Sequence, residues 1–242
     1  PEEDCILEKP DHKTPYKITT YKEFKEDVFG LGTALTSVLN LKDKRVVIVG
    51  ETQYGWYVSY MAMLCGVGIA VPTDRELPEN ELENIIRRSR ASAVIYSPKK
   101  AEDIKKVKEN IPEVEYFIEM KSDKPLEGKD VGINALISLG KNIIKTGNNS
   151  FAEIEIDPEE FRILFFTSGT TSNAKGVMLN NRNLAENINL EDIENMDGAI
   201  TFNTQDEDSD DEDAPKIAGA AIPLGSIFSN MFGSNRKWNF FW

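Results

Sequence analysis

A chain of 242 residues with 40% hydrophobic content holds enough apolar material for one large packed domain, or for a domain with an appendage. Its formal net charge of −13 is unevenly spread: eleven Asp/Glu and no Lys/Arg lie between Glu191 and Asp213, so the rest is only mildly acidic and lacks the clustered positive charge of a nucleic-acid binder. The single histidine, His12, lies in a polar stretch, and Cys5 and Cys65 have neither metal spacing nor the density of a secreted disulfide scaffold; a Ser-His-Asp hydrolase or a multi-histidine metal centre therefore has almost no material.

The first twenty residues are charged and lack an apolar signal region, which argues for a cytoplasmic protein. Thr20-Tyr21-Lys22-Glu23 has the form of a capping box, and Phe24, Val28, Leu31, Leu35 and Val38 recur at helical spacing, which predicts a helix over residues 21–39. Residues 45–49 read as a buried strand. The uncharged run from Thr52 to Thr73 is long enough to raise a membrane span, but Gly66-Val67-Gly68 breaks it, so a buried helix through Cys65 followed by a strand over 69–71 is expected. Trp56 and Tyr57, near the start of that helix, are both expected to pack against the sheet.

A helix over 78–90 follows, with Pro78 at its start and Leu82, Ile85 and Ile86 inward, then a strand over 94–96. Further along, helices over 101–110 and 133–144 alternate with strands over 116–119 and 162–166; Val177-Met178-Leu179 reads as extended, and a helix over 183–188 closes the series. The alternation predicts an α/β fold with a mostly parallel sheet flanked by helices, and ligands of such sheets bind beyond the carboxyl ends of the strands.

One such end carries the most informative segment. Strand 162–166 runs into Thr167, Ser168, Gly169, Thr170, Thr171 and Ser172, and the loop closes on Lys175 and Gly176. Backbone N–H groups and hydroxyls of these residues can turn toward anionic oxygens, the glycines permit close approach, and Lys175 brings a compact positive charge. The expected ligand is a polyphosphate, most simply ATP. The loop is not that of the P-loop kinases and GTPases, which require a hydroxyl directly after the lysine and a helix starting at once. The competing reading, a surface turn with an incidental lysine, does not account for the number of coincident positions described next.

The segment resembles the signature of the adenylate-forming (AMP-binding) superfamily, Tyr/Phe-Thr-Ser-Gly-Thr-Thr-Gly-x-Pro-Lys-Gly. Phe166 through Thr171, Lys175 and Gly176 match, whereas Ser172 replaces a glycine and Ala174 a proline. The stretches Ile18-Thr19-Thr20-Tyr21, Arg45 through Gly50, Gly55-Trp56-Tyr57, Gly66 through Pro72 and Ala93 through Ser97 resemble the amino-terminal part of a long-chain acyl-CoA synthetase, over about residues 1–190. The resemblance implies a partial adenylate-forming domain and ATP-dependent activation of a carboxylic acid, as acyl-adenylate and then acyl-CoA. ATP with Mg2+, a fatty acid and coenzyme A are the implied ligands. Thr167, Ser168, Gly169, Thr170, Thr171, Ser172, Lys175 and Gly176 are the implied phosphate-binding residues; the magnesium ligand and the catalytic lysine of such enzymes would lie outside this chain.

Residues 191–242 fall beyond the resemblance. Seven acids in the eight residues from Asp206 to Asp213 should self-repel and stay irregular, and the chain closes on Arg236-Lys237-Trp238-Asn239-Phe240-Phe241-Trp242. Two readings stand for this tail: an anchor for a partner or a membrane surface, or an extension foreign to the family. They set the competing functional class, a non-catalytic interaction module in which the α/β part is only scaffold.

Overall fold

The computed structural model describes residues 4–9, 15–167, 175–186 and 200–203. His12, the acidic run and the aromatic terminus lie outside the described residues. The main body is a seven-stranded sheet whose first strand in sequence, β3 (Lys44–Val49), lies between β4 (Gly68–Thr73) and β5 (Ala93–Tyr96), both parallel to it. Beyond β5 come β6 (Tyr116–Glu119) and β7 (Asp130–Gly132), again parallel; beyond β4 come β8 (Phe161–Thr167), parallel, and β9 (Lys175–Asn180), antiparallel, at the opposite edge. The mostly parallel α/β sheet anticipated from the alternation is therefore the observed one.

Two-sided burial explains why these strands read as continuous apolar runs. Val46 and Ile48 of β3 face one helical layer and Val47 and Val49 the other, all four fully buried. The first layer holds α1 (Tyr21–Ser37), α2 (Tyr54–Ala62) and α5 (Ile133–Lys145); the second holds α3 (Glu79–Ser89) and α4 (Ala101–Val107). Helix α1 begins at the expected capping box: the Glu23 amide donates to Thr20 Oγ1 at 3.2 Å, and the Thr20 amide donates to the Glu23 carboxylate at 2.8 Å. The Thr20 amide and hydroxyl, both donating to the carboxylate, hold the Glu23 carboxyl below its usual range.

The uncharged run divides as expected. Helix α2 passes into a π-helical turn over Met63–Val67, where Gly66 adopts φ of 119°, and β4 starts at Gly68. A side chain at Gly66 would be strained there, which is why the break coincides with glycine. Among the described residues no helix is long and apolar enough to cross a membrane. Trp56 meets expectation in part, packing against the same core as Tyr57 but from its margin. Tyr57 is 1% exposed in the core, but Trp56 is only half-buried, stacked on Tyr60 at 5.0 Å between ring centroids.

A second, smaller sheet was not anticipated. Strand β1 (Asp4–Lys9) pairs antiparallel with β2 (Lys17–Thr20) and parallel with β10 (Ile200–Asn203), placing Ile6 opposite Ile200. Four residues of the segment read as an irregular tail thus carry sheet pairing. Lys121 Nζ lies 3.3 Å from the Glu8 carboxylate, tying this sheet to the loop after β6. The last helix, α6 (Asn181–Glu186), starts two residues before the expected position, because Asn180 and Asn183 cap each other's amides at 2.8 and 3.0 Å.

Helices α1 and α5 cross at two glycines. A Cβ on Gly140 would stand 1.7 Å from the Gly30 carbonyl oxygen, a backbone atom that can yield only if the helices separate. Gly140→Ala is expected to destabilise the protein by about 3 kcal/mol, at the upper end of overpacking penalties; an unchanged urea midpoint would refute the close crossing. Tyr57→Ala should cost about 3–5 kcal/mol as a fully buried aromatic, and Trp56→Ala clearly less, in the same titration.

Candidate functional site

The hairpin of β8 and β9 positions the residues singled out in the sequence. Strand β8 enters the sheet beside β4, with Ala70 opposite Ile163, and its first turn is fixed by Arg162, whose buried guanidinium pairs with Glu160 and stands 3.8 Å from Asp43. Strand β9 returns in register: Phe165 faces Val177, Phe166 faces Gly176, and Thr167 faces Lys175. The intervening seven residues, 168–174, therefore form the connection at the carboxyl end of a parallel-sheet strand, where an open α/β sheet receives its ligands.

Thr167 and Lys175 stand as a cross-strand pair at the two feet of that connection, both exposed, with the Thr167 hydroxyl donating to the Lys175 carbonyl at 3.5 Å. An exposed ammonium beside an exposed hydroxyl is a suitable beginning for an anion site, because neither has been committed to the core. Gly176 follows, also exposed; a Cβ there would meet Leu164 Cδ1 at 3.2 Å, so glycine keeps the strand close to its partner. Ser168, Gly169, Thr170, Thr171 and Ser172 lie outside the described residues. Three of the eight expected site residues are thus brought together by the hairpin register.

Two features were not legible in the sequence. The guanidinium of Arg88, on α3, lies over the Phe166 ring at 5.2 Å from its centroid. At the carboxyl ends of β3 and β5, Gly50 (φ 145°) closes against Ser97, and the buried Ser97 Oγ and Gln53 Oε1 have no hydrogen-bond partner among the described residues. Arg88 belongs to no local motif, and both Arg88 and Ser97 meet these partners only through the topology. Among the described residues no group of three His, Cys, Asp or Glu could hold a metal ion.

A parallel sheet covered on both faces, with this hairpin leaving its carboxyl rim, defines a domain of the adenylate-forming kind. The chain belongs to the AMP-binding enzyme family, whose match extends over residues 4–212, well past the limit at about residue 190 drawn from the sequence. It is 25% identical over 181 residues to the long chain acyl-CoA synthetase 8 of Arabidopsis thaliana, covering 72% of this chain and 25% of that protein. It is 27% identical over 184 residues to the long-chain-fatty-acid–CoA ligase 5 of Rattus norvegicus, covering 72% and 26%. Among solved structures, a long-chain-fatty-acid-CoA ligase from Archaeoglobus fulgidus superposes with a TM-score of 0.63 at 21% identity, over 77% of this chain and 35% of that one. The chain spans about a quarter of the length of the curated relatives it matches.

Proposed function

We propose that this chain supplies the polyphosphate-gripping part of an ATP-dependent acid–thiol ligase. In such a reaction a carboxylate attacks the α-phosphate of ATP, giving acyl-adenylate and pyrophosphate; a thiol, coenzyme A in our reading, then displaces AMP and forms a thioester. The observation that carries the proposal is the register of the hairpin, which sets Lys175 and Thr167 side by side at the carboxyl end of β8. Membership of the family supports it independently. A long-chain fatty acid is the proposed substrate class, by analogy with the relatives named above.

The donor set fits a phosphate chain. Lys175 offers three N–H donors and a charge, Thr167 a hydroxyl, and the connecting residues Ser168, Gly169, Thr170, Thr171 and Ser172 further hydroxyls and amides. These groups bind and orient the tail of the nucleotide, leaving the α-phosphorus for in-line attack. Charge-assisted contacts of this kind act by positioning and by neutralising charge, so they contribute to the chemical step only where the attacking acid is also held in place.

Lys175→Ala is expected to weaken ATP binding by about 1.5–3 kcal/mol, the range for a hydrogen bond to a charged group, while leaving the melting temperature unchanged because the residue is exposed. Isothermal titration of both proteins decides this. Equal affinities would remove the hairpin from the nucleotide site and favour the interaction-module reading.

A pyrophosphate-release assay with ATP, magnesium and a panel of fatty acids should give no turnover with this chain alone. Residues that act as a unit lose most of their catalytic effect together, so phosphate gripping by itself leaves a negligible remnant. Turnover that vanishes in Lys175→Ala would mean that the chain contains a complete site.

A further inference from the structure

We propose that residues 223–232 form an amphipathic helix that docks on the open face of the β8–β9 hairpin, beside α3. The sheet supplies one half of this contact. Leu164 and Phe166 of β8 join the layer of α3 and α4 at its margin and are only half-buried. Met178 of β9 stands opposite Leu164, and directly opposed residues of an antiparallel pair share a face, so its side chain belongs to the same surface, where it is 70% exposed. Gly176, opposite Phe166, contributes no side chain to that surface. Arg88 of α3 lies over the Phe166 ring, whereas Met178, one strand further out, remains open.

The sequence supplies the other half. Leu224, Ile227, Phe228, Met231 and Phe232 recur at i, i+3, i+4, i+7 and i+8, the stripe of an amphipathic helix, while Ser226, Ser229 and Asn230 fall on the opposite side. Pro223 at the first helical position and Gly233 just past the last match the preferences of helix ends. A helix this short is marginal in water and needs an apolar surface for its stripe. At about 1.5 Å per residue it is roughly 15 Å long, and the six residues of β9 extend about 20 Å. The stripe therefore fits along the hairpin.

The tether makes the chain's own segment the occupant. Strand β10 ends at Asn203, and residues 204–222 separate it from Pro223. Fully extended, that stretch spans about 65 Å at roughly 3.4 Å per residue, more than twice the roughly 29 Å across seven strands spaced about 4.8 Å apart. A segment so tethered meets its surface at an effective concentration on the order of millimolar. A second copy would have to approach against a net charge of −13 on each molecule, and an anionic membrane would repel the same charge.

Methionine oxidation reads the contact from both sides, because Met178 lies in the sheet and Met231 in the stripe. The 242-residue chain is treated with hydrogen peroxide, alone and with phosphatidylglycerol vesicles, and sulfoxide at each methionine is followed by peptide mass spectrometry; light scattering gives the molar mass. The variants are Phe228→Asp in the stripe, Ser229→Asp on the polar side and Met178→Glu on the sheet. Wild type and Ser229→Asp are expected to be monomers in which both methionines oxidise slowly, Phe228→Asp to oxidise both about tenfold faster, and Met178→Glu to oxidise Met231 faster by a similar factor. Met178→Glu alters an exposed position, so it tests the contact without disturbing the core should Phe228→Asp fold poorly. Equal Met178 rates in wild type and Phe228→Asp would overturn the proposal. So would protection of Met231 that survives Met178→Glu, since the stripe would then be covered elsewhere. Protection found only in a dimer, or only with vesicles, would overturn it in favour of a second copy or a membrane.

Discussion

Everything in this molecule depends on β3 being buried on both faces. Its four apolar residues alternate between two helical layers, so a slip of one residue against β4 or β5 would exchange every side chain between layers of different shape. Parallel pairing of β3 with both neighbours then forces each connection to cross a face of the sheet, and the connections after β3 and β5 leave toward opposite faces through α2 and α4. The polar chemistry is thereby confined to the rims. The hairpin is one consequence: β8 joins the far side of β4 and delivers Thr167 to the carboxyl rim, and β9 returns antiparallel at the edge.

The helical layers are not equivalent. In the layer of α1, α2 and α5 the glycines at 30 and 140 bring two helices to backbone contact, a distance that no side chain could tolerate. That layer is also fastened by polar contacts at its surface: Tyr54 donates to Asp27 at 2.6 Å, and Lys141 pairs with the same carboxylate at 2.5 Å. Burial and the adjacent Asp27 carboxylate both push the Tyr54 phenol far above its ordinary range, so it stays a neutral donor. The opposite layer is smaller and more highly charged, with Lys106 on α4 paired to Glu79 on α3 and Arg87 paired to Glu83. At the end of α3 the Arg88 guanidinium lies over the Phe166 ring of β8.

Local order was legible in the sequence wherever a short-range rule applied. The capping box at Thr20, the glycine break at Gly66 and the inward face of Leu82, Ile85 and Ile86 all reduce to contacts within a few residues, and each stands as read. The three-stranded sheet could not be found in that way. Strand β2 has only four residues, and β1 finds its parallel partner almost two hundred positions later, within a segment whose acidity argued for irregularity. Trp56 was read only in part: like Tyr57 it packs against the core, but it lies near the start of α2 and stays half-buried, whereas Tyr57 and the residues after it are fully enclosed. Position 181 began a helix earlier than expected because the reciprocal asparagine caps are a weaker pattern than Ser/Thr followed by Glu.

The candidate site shows the same division. Its composition and its place after a strand could be read directly, since hydroxyls, glycines and one lysine in succession offer donors and charge to an anion. What could not be read is how the hairpin register converts sequence distance into proximity: Thr167 and Lys175 are eight residues apart yet directly opposite, and Phe166 presents one surface to Gly176 and another to a helix that precedes it by some eighty residues. This arrangement also separates stability from binding. The strand residues Ile163, Leu164 and Phe166 are held by the core, whereas Thr167, Lys175 and Gly176 are exposed and contribute little to it. A site built from exposed groups on a buried frame can lose a charge without losing its shape, and that is the condition under which the effect of a substitution on phosphate affinity measures the contact itself.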